Sequence, residues 1–392
     1  MKKRRKGFLF TYILAALGGG ILIGAALLWF FTDSNMYKTG YVPMHTVMRK
    51  AGYVPVSTQD AAVCYGDTQS DTLLRVEHDY RTVTKDDFVY TQEDAFSIAL
   101  KKLYVRRTFI EQVLDISVSR SYPVGYNVTV HPPVTGEDLT AMQVPFIAHA
   151  GGGSIVRNEE GLWETVEYVN SLETLCASYR NGFRAIETDL LLSSDGIFCA
   201  IHNWKTLGGI RTADDFLQMP TPDGGTPLLL EDVLRLVNMN RDLILVLDIK
   251  SYEWTMTELE ANYHTIVDMA MEIGGEALVN RIVPQLYHPE EYEIVKSVYP
   301  WKALIFSLYR EKELTDDEVL AVIADKPDIR IVTCKTNRMT EELARGVHAL
   351  GRQLFVYTVN DIDGLYKWIN KGVDGFYTDL MTPQTWLERY AK

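Results

Sequence analysis

Residues 185–203 read AIETDLLLSSDGIFCAIHN, and residues 243–250 read LILVLDIK. Each stretch begins as an apolar run and ends in chemistry: Glu187 and Asp189 in the first, His202 at its close, Asp248 and Lys250 in the second. The apolar runs are rich in Leu, Ile and Val and barely alternate, as parallel strands covered on both faces should be. The pattern repeats outward. FIAHA (146–150) precedes a helical stretch at 171–179, AIETDLLL with FCAIHN precedes one at 230–236, and LILVLDI precedes one at 256–271. RIVPQLY, KALIFSLY, IRIVTCK, QLFVYTV and VDGFYTD continue the series, each followed by a helical stretch. Roughly eight strand–helix units in about 250 residues have the size and rhythm of a TIM (β/α)₈ barrel. A doubly wound open sheet is the alternative, and no G-x-G-x-x-G follows the first strand to support it.

In such a barrel the active site lies where the strands end. His149, Glu187, Asp189, His202, Asp248, Lys250, Gln285, Tyr357, Asn360 and Asp379 all fall at or near predicted strand ends. Glu187 and Asp189 are two apart on one strand, so their side chains point the same way. With Asp248 they bring three hard oxygen donors to one mouth, which suits Ca²⁺ or Mg²⁺. His149 and His202 would flank that cation, one as general base or nucleophile and the other as general acid. Lys250 shares a face with Asp248 and would bind a phosphate oxygen or pair with a ligand carboxylate. Gln285 and Tyr357 are expected on the substrate side. Two histidines and three carboxylates at one mouth describe metal-assisted phosphoester chemistry.

The chain has 392 residues, 47% hydrophobic and 23% charged, with a formal net charge of −13. Such acidity argues against a nucleic-acid partner, which needs a basic face. The N-terminus differs: Lys2, Lys3, Arg4, Arg5 and Lys6 precede residues 7–31, which hold no charged side chain. That length crosses roughly 30 Å of hydrocarbon, and the positive flank orients the N-terminus inward. The expected organisation is a cytoplasmic stub (1–6), a signal-anchor helix (7–31), a small α+β membrane-proximal extension (32–144) and the barrel (145–392). The expected location is a bacterial cell membrane, single-pass, with the barrel outside. Within the extension, residues 93–113 predict a helix and residues 116–130 alternate as strand. None of Cys64, Cys176, Cys199 and Cys334 has redox or zinc spacing, so small core residues are expected.

HAGG at 149–152, IETDLLLSSDG, IHNW, VLDIK, YTVND and GVDGFYTD occur in this order, and together they resemble the glycerophosphodiester phosphodiesterase family. That family belongs to the phosphatidylinositol-phospholipase-C-like barrel superfamily. The resemblance covers about 145–390 and lies with a bacterial HAGG-type branch. It implies that His149 and His202 are the catalytic pair, that Glu187, Asp189 and Asp248 hold a metal, and that Lys250 binds phosphate. Four positions depart from the family: Ala150 stands for the usual arginine, Asn203 for aspartate, Asp248 for glutamate and Tyr357 for tryptophan. Loss of the arginine removes a phosphate contact and points to a bulkier substrate than a small diester.

The resulting expectation is a membrane-anchored phosphodiesterase acting on a glycerophosphodiester, a lipid headgroup or an envelope glycerol-phosphate. Two other readings compete. One is a non-catalytic barrel that binds a phosphorylated envelope component; the paired histidines argue against it. The other is a sphingomyelinase D-like phospholipase. Asp248 favours that reading, and the lack of an obvious exposed aromatic docking loop opposes it.

Overall fold

The computed structural model describes residues 32–390, apart from 59–60, 69–71, 86–87, 122–124, 143–144, 158–159, 161 and 251–253. The stub and the expected anchor at 7–31 lie outside the described residues. Among the described residues no helix is long and apolar enough to cross a membrane. The chain divides into two compact units between His131 and Pro132.

The first unit is mainly antiparallel. A five-stranded meander runs through Tyr53–Val56, Val63–Asp67, Leu73–Val76, Thr82–Lys85 and Phe88–Thr91. A second sheet sets Lys102–Arg106 between Tyr41–Pro43 and Phe96–Ala99. The helix expected over 93–113 is corrected here. Phe96–Ala99 and Lys102–Arg106 form a hairpin, and only Arg107–Leu114 is helical. The two-residue turn places Leu100 and Lys101 at φ 49° and 60°, the twist that hairpin turns require. Of the apolar residues that suggest a helix there, Ile98 and Leu100 face solvent. Sheet pairing to Tyr41–Pro43 has overridden a weak helical period. Residues 116–130 form the expected extended structure as a hairpin, Ile116–Ser121 against Gly125–Val130.

The second unit is the barrel. Its strands are β1 (Phe146–Ala148), β2 (Ala185–Leu192), β3 (Ile244–Ile249), β4 (Ile282–Leu286), β5 (Leu304–Ser307), β6 (Ile329–Lys335), β7 (Gln353–Tyr357) and β8 (Gly375–Thr378). Consecutive strands pair in parallel. β1 closes the ring by pairing with both β2 and β8, through Ile147↔Ala185 and Ile147↔Tyr377. The helices are α1 (Leu172–Arg180), α2 (Leu230–Met239), α3 (Met256–Val279), α4 (Glu291–Val298), α5 (Asp316–Ala324), α6 (Glu341–Ala349), α7 (Ile362–Ile369) and α8 (Pro383–Tyr390). FCAIHN is not a barrel strand: Phe198–Ala200 folds back antiparallel on the upper part of β2. Its return delivers His202 to the mouth.

Side chains inside the barrel follow the two-residue period. Ala185, Ile244, Val246, Val283, Ile305, Ile331, Phe355 and Tyr377 pack into one buried cluster. Continuing the same period upward gives Glu187 and Asp189 on β2, Asp248 on β3 and Gln285 on β4. The register sets Asp189 directly beside Asp248. Below, the 3₁₀ turn Gly136–Ala141 plugs the floor. Leu139 is fully buried in the same cluster, Gly136 N–H donates to Asn280 O at 2.7 Å, and Val134 N–H donates to Arg241 O at 2.9 Å. A Cβ on Gly136 would meet Val283 at 2.8 Å. Residues 132–142 are therefore barrel floor, lying ahead of the boundary expected at 145. All four cysteines are free and buried. If the floor turn belongs to the core, Leu139→Ala should cost roughly 2–5 kcal/mol, read as a lower urea midpoint of the barrel transition. An unchanged midpoint would exclude 132–142 from that core.

Candidate active site

Each acid in the mouth ends an apolar series, so the sheet itself aims it inward. Glu187, Asp189 and Asp248 are all buried, and one oxygen from each lies within 4.8 Å of the others. Four groups compensate them. Lys250 Nζ is 2.7 Å from Asp189 Oδ1 and also contacts Asp248. Ala150 N–H donates to Glu187 Oε2 at 3.0 Å. Asn170 Nδ2 donates to Asp189 Oδ2 at 3.0 Å, and Asn170 Oδ1 accepts from Asp189 N–H at 3.1 Å. The Tyr287 hydroxyl donates to Asp248 Oδ1.

The titration behaviour follows from this crowding. Burial raises Glu187 well above the carboxylate range; His149 and Lys250 oppose the rise, while Asp189 and Asp248 add to it. Burial also acts to raise Asp189, but Lys250 and the histidines outweigh it and hold this acid at about 2. Lys250 loses solvation yet stays firmly charged because Asp189 and Asp248 face it. One ammonium thus faces three carboxylates. The donor set is all oxygen, buried and over-negative, and it fits a hard divalent cation.

The two histidines are held differently. His149 is buried; its Nδ1 lies 2.9 Å from Asp379 Oδ1 and its Nε2 lies 3.9 Å from Glu187 Oε2. Burial alone would lower its pKa, but Glu187 and the Asp379 hydrogen bond raise it to about 9. Asn360 Nδ2 holds the other oxygen of Asp379 at 2.9 Å, and Asn360 Oδ1 accepts from Asp379 N–H at 2.8 Å. His202 is only partly buried. Its ring lies against that of Tyr168, with centroids 4.2 Å apart, and the same tyrosine meets His149 edge-on at 4.9 Å. Burial lowers the His202 pKa, and Asp189 only partly offsets this. The two imidazoles are therefore pushed in opposite directions, His149 up and His202 down.

The mouth thus brings together His149, His202, Glu187, Asp189, Asp248 and Lys250. Gln285 is buried below them. Its amide accepts from the Tyr377 hydroxyl at 2.9 Å and donates to the Tyr287 hydroxyl at 3.2 Å, so it braces the tyrosine that holds Asp248. Tyr357 lies edge-on to Tyr377 at 6.0 Å. Ala150 is buried at φ 49°, so position 150 contributes a backbone N–H and no cation. Six residues that shape the site carry no role in the sequence: Asp379, Asn360, Asn170, Tyr168, Tyr287 and Tyr377. Period-two spacing could have found Tyr377 with Asp379, and Gln285 with Tyr287. Asn170 and Tyr168 sit in a loop at positive φ, where no period applies. The expected lack of an exposed aromatic loop is also corrected. Between β1 and α1 a ribbon, Ser154–Arg157 against Trp163–Val166, leaves Trp163 67% exposed.

The sequence profile of the glycerophosphoryl diester phosphodiesterase family matches residues 166–382. A relative from Mycobacterium tuberculosis, named probable glycerophosphodiester phosphodiesterase 2, is 22% identical over 256 residues, which is 62% of this chain and 92% of the relative. Among solved structures, a glycerophosphodiester phosphodiesterase from Parabacteroides distasonis superposes with a TM-score of 0.50 at 19% identity, over 64% of this chain and 99% of its own. A protein of the same description from Galdieria sulphuraria gives 0.50 at 17% identity, over 63% and 97%. These two likenesses establish the barrel. The family match spans more than half of the chain and contains Glu187, Asp189, His202, Asp248 and Lys250. The chain belongs to the glycerophosphoryl diester phosphodiesterase family, and with it to the phosphoric diester hydrolases.

Proposed function

We propose that this chain is a membrane-tethered, divalent-cation-dependent phosphodiesterase that cleaves a glycerophosphodiester or a related glycerol-phosphate or lipid-headgroup ester. The observation that carries the reading is a pair of histidines, His149 and His202, meeting at the Tyr168 ring beside a buried carboxylate triad. The name of the mycobacterial relative supports the substrate class. Lys2–Lys6 followed by the uncharged stretch 7–31 supports the tether and an outward-facing barrel.

Glu187, Asp189 and Asp248 would hold Ca²⁺ or Mg²⁺, and the bound ion supplies charge neutralisation at the phosphoryl oxygens. Lys250, kept charged by the same acids, points an ammonium at that group. His202 is neutral and free to act as base or nucleophile at phosphorus. His149 would act as the acid, carrying a proton on each ring nitrogen. Asp379 takes the Nδ1 proton as a fixed hydrogen bond, which leaves the Nε2 proton for the departing oxygen. Asp379 thus orients the acid and stabilises its charge. Position 150 provides no cation, so small diesters are held by fewer contacts than in an arginine-bearing site, and a larger substrate must supply the rest.

Cation dependence is tested on the full chain with glycerophosphodiesters. Chelation should abolish turnover, add-back of Ca²⁺ or Mg²⁺ should restore it, and Asp248→Asn should raise the metal concentration needed. Full activity after thorough chelation would refute the assignment.

His149→Ala and His202→Ala should each lower kcat on the order of 10²-fold or more. The two should separate with a p-nitrophenyl ester, whose leaving group needs no proton. His149→Ala should recover most of its loss there, and His202→Ala should not. Equal losses on both substrates would remove the acid role from His149.

The titration of His149 gives a third test. Its ordinary value near 6.5 rises to about 9 in the folded, cation-free chain. The folded state therefore binds this proton more tightly than the unfolded one. That stabilisation is complete below about pH 6.5 and is lost as pH climbs through 9. In chelated protein the barrel's urea midpoint should fall between pH 7 and 9.5, and Asp379→Asn should flatten the fall. An imidazole resonance of His149 titrating at or below 6.5 would contradict the geometry.

A further inference from the structure

Met271, Tyr366 and Leu387 are exposed on the barrel unit's helices, Leu387 at 61%, but the exposed apolar side chains of its loops are not spread evenly. Ile155, Leu162, Trp163, Ile197 and Ile210 all lie on the two loops that follow β1 and β2, at the mouth. Among the described residues, no loop at the floor carries an exposed large apolar side chain. Single exposed hydrophobics are ordinary, but a one-sided cluster beside an active site is not.

The ribbon after β1 shows how the cluster is built. Its register pairs Ile155 with Thr165 and Arg157 with Trp163. Directly paired residues share a face, so Ile155, Arg157, Trp163 and Thr165 form one surface and Val156 and Val166 lie on the other. This surface is open, with Ile155 61% and Trp163 67% exposed, and Leu162, immediately before Trp163, is 61% exposed. The Arg157 guanidinium lies over the Trp163 ring at 4.7 Å. A tryptophan carrying a cation, flanked by aliphatic side chains, is what an interface of acyl chains and phosphate headgroups accommodates: the ring sits at headgroup depth and the guanidinium reaches phosphate.

We propose that the Ile155–Leu162–Trp163 ribbon is a lipid-docking element, and that the enzyme takes a phosphodiester presented on a membrane surface. The proposal rests on the phosphodiesterase reading and narrows its substrate to one at an interface. Two observations favour lipid over a protein partner. Three side chains offer on the order of 400 Å² at their present exposure, half of the roughly 800 Å² per partner of a standard protein interface. The uncharged stretch 7–31 also gives the chain a membrane-length segment of its own. With a net charge of −13, docking should depend on apolar insertion and not on anionic lipid.

The test uses the full chain in phosphatidylcholine nanodiscs. One arm compares phosphatidylglycerol embedded in the disc with its water-soluble counterpart, glycerophosphoglycerol. The triple variant Ile155→Ser, Leu162→Ser, Trp163→Ser should keep glycerophosphoglycerol turnover within about twofold of wild type and lose tenfold or more on the embedded lipid. Equal effects on both substrates would overturn the proposal. The other arm replaces the disc lipid with acyl-chain-brominated phosphatidylcholine, which quenches buried tryptophan fluorescence. Trp163→Phe should remove a quenched component present in wild type. Identical quenching in the two proteins would overturn it, as would a Trp163-dependent dimer in detergent with no quenching. If wild type hydrolyses neither substrate, the phosphodiesterase reading fails by itself, and the quenching arm still decides the docking.

Discussion

Three carboxylates share one water-poor barrel mouth, and most of the surrounding structure answers that constraint. Like charges within 4.8 Å in a low-dielectric pocket repel strongly. The fold meets them with one donor after another: Lys250 between two acids, the Ala150 N–H on Glu187, the Asn170 amide on Asp189 and the Tyr287 hydroxyl on Asp248. Directing these donors costs backbone strain. Ala150, Tyr168 and Asn170 all take positive φ, between 49° and 57°, a region that costs a side-chain-bearing residue about 1–2 kcal/mol. Strain of this kind persists where surrounding contacts over-determine it, and it collects at functional sites. Here the contacts are explicit, since Asn170 N–H is tied to Ala150 O at 2.8 Å.

That arrangement also explains why the two histidines differ. His149 is wired into the acids through Asp379 and Glu187, so its proton is stabilised by the same excess of negative charge that favours a cation. His202 arrives on a hairpin that is not part of the barrel wall and leans on an aromatic ring. Lys250 lies closer to Asp189 than His202 does and satisfies it first. The two chemically identical side chains are therefore shifted in opposite directions, His149 up and His202 down.

What the sequence made legible was whatever the two-residue period carries. Glu187, Asp189 and Asp248 continue inward-facing series that begin with Ala185 and Ile244, so strand assignment and site assignment were one inference. Asp379 escaped a role because its partner His149 lies 230 residues away, and no local pattern encodes that contact. Asn170 and Tyr168 escaped because a loop at positive φ has no period to read. The floor turn at 136–141 gives no signal in the sequence because its single apolar anchor, Leu139, makes no pattern alone. The hairpin at 96–106 was read as a helix because a short apolar run fits both periods until a partner strand decides.

The barrel separates these two kinds of information in space. Its floor is closed by one buried leucine and short connections, where change is paid for in packing. Its mouth carries two long insertions, after β1 and β2, that hold His149, Tyr168, Asn170 and His202 together with the apolar ribbon. The carboxylates themselves sit on β2 and β3, fixed by sheet register. Beyond Ala150 and Asn170, which hold the acids, these loops can vary with the strand-borne carboxylates left in place. A left-handed alanine in place of a phosphate-binding cation and an exposed tryptophan beside the mouth are changes of that one kind. On the proposed reading, both shift recognition from the phosphate itself to what surrounds it.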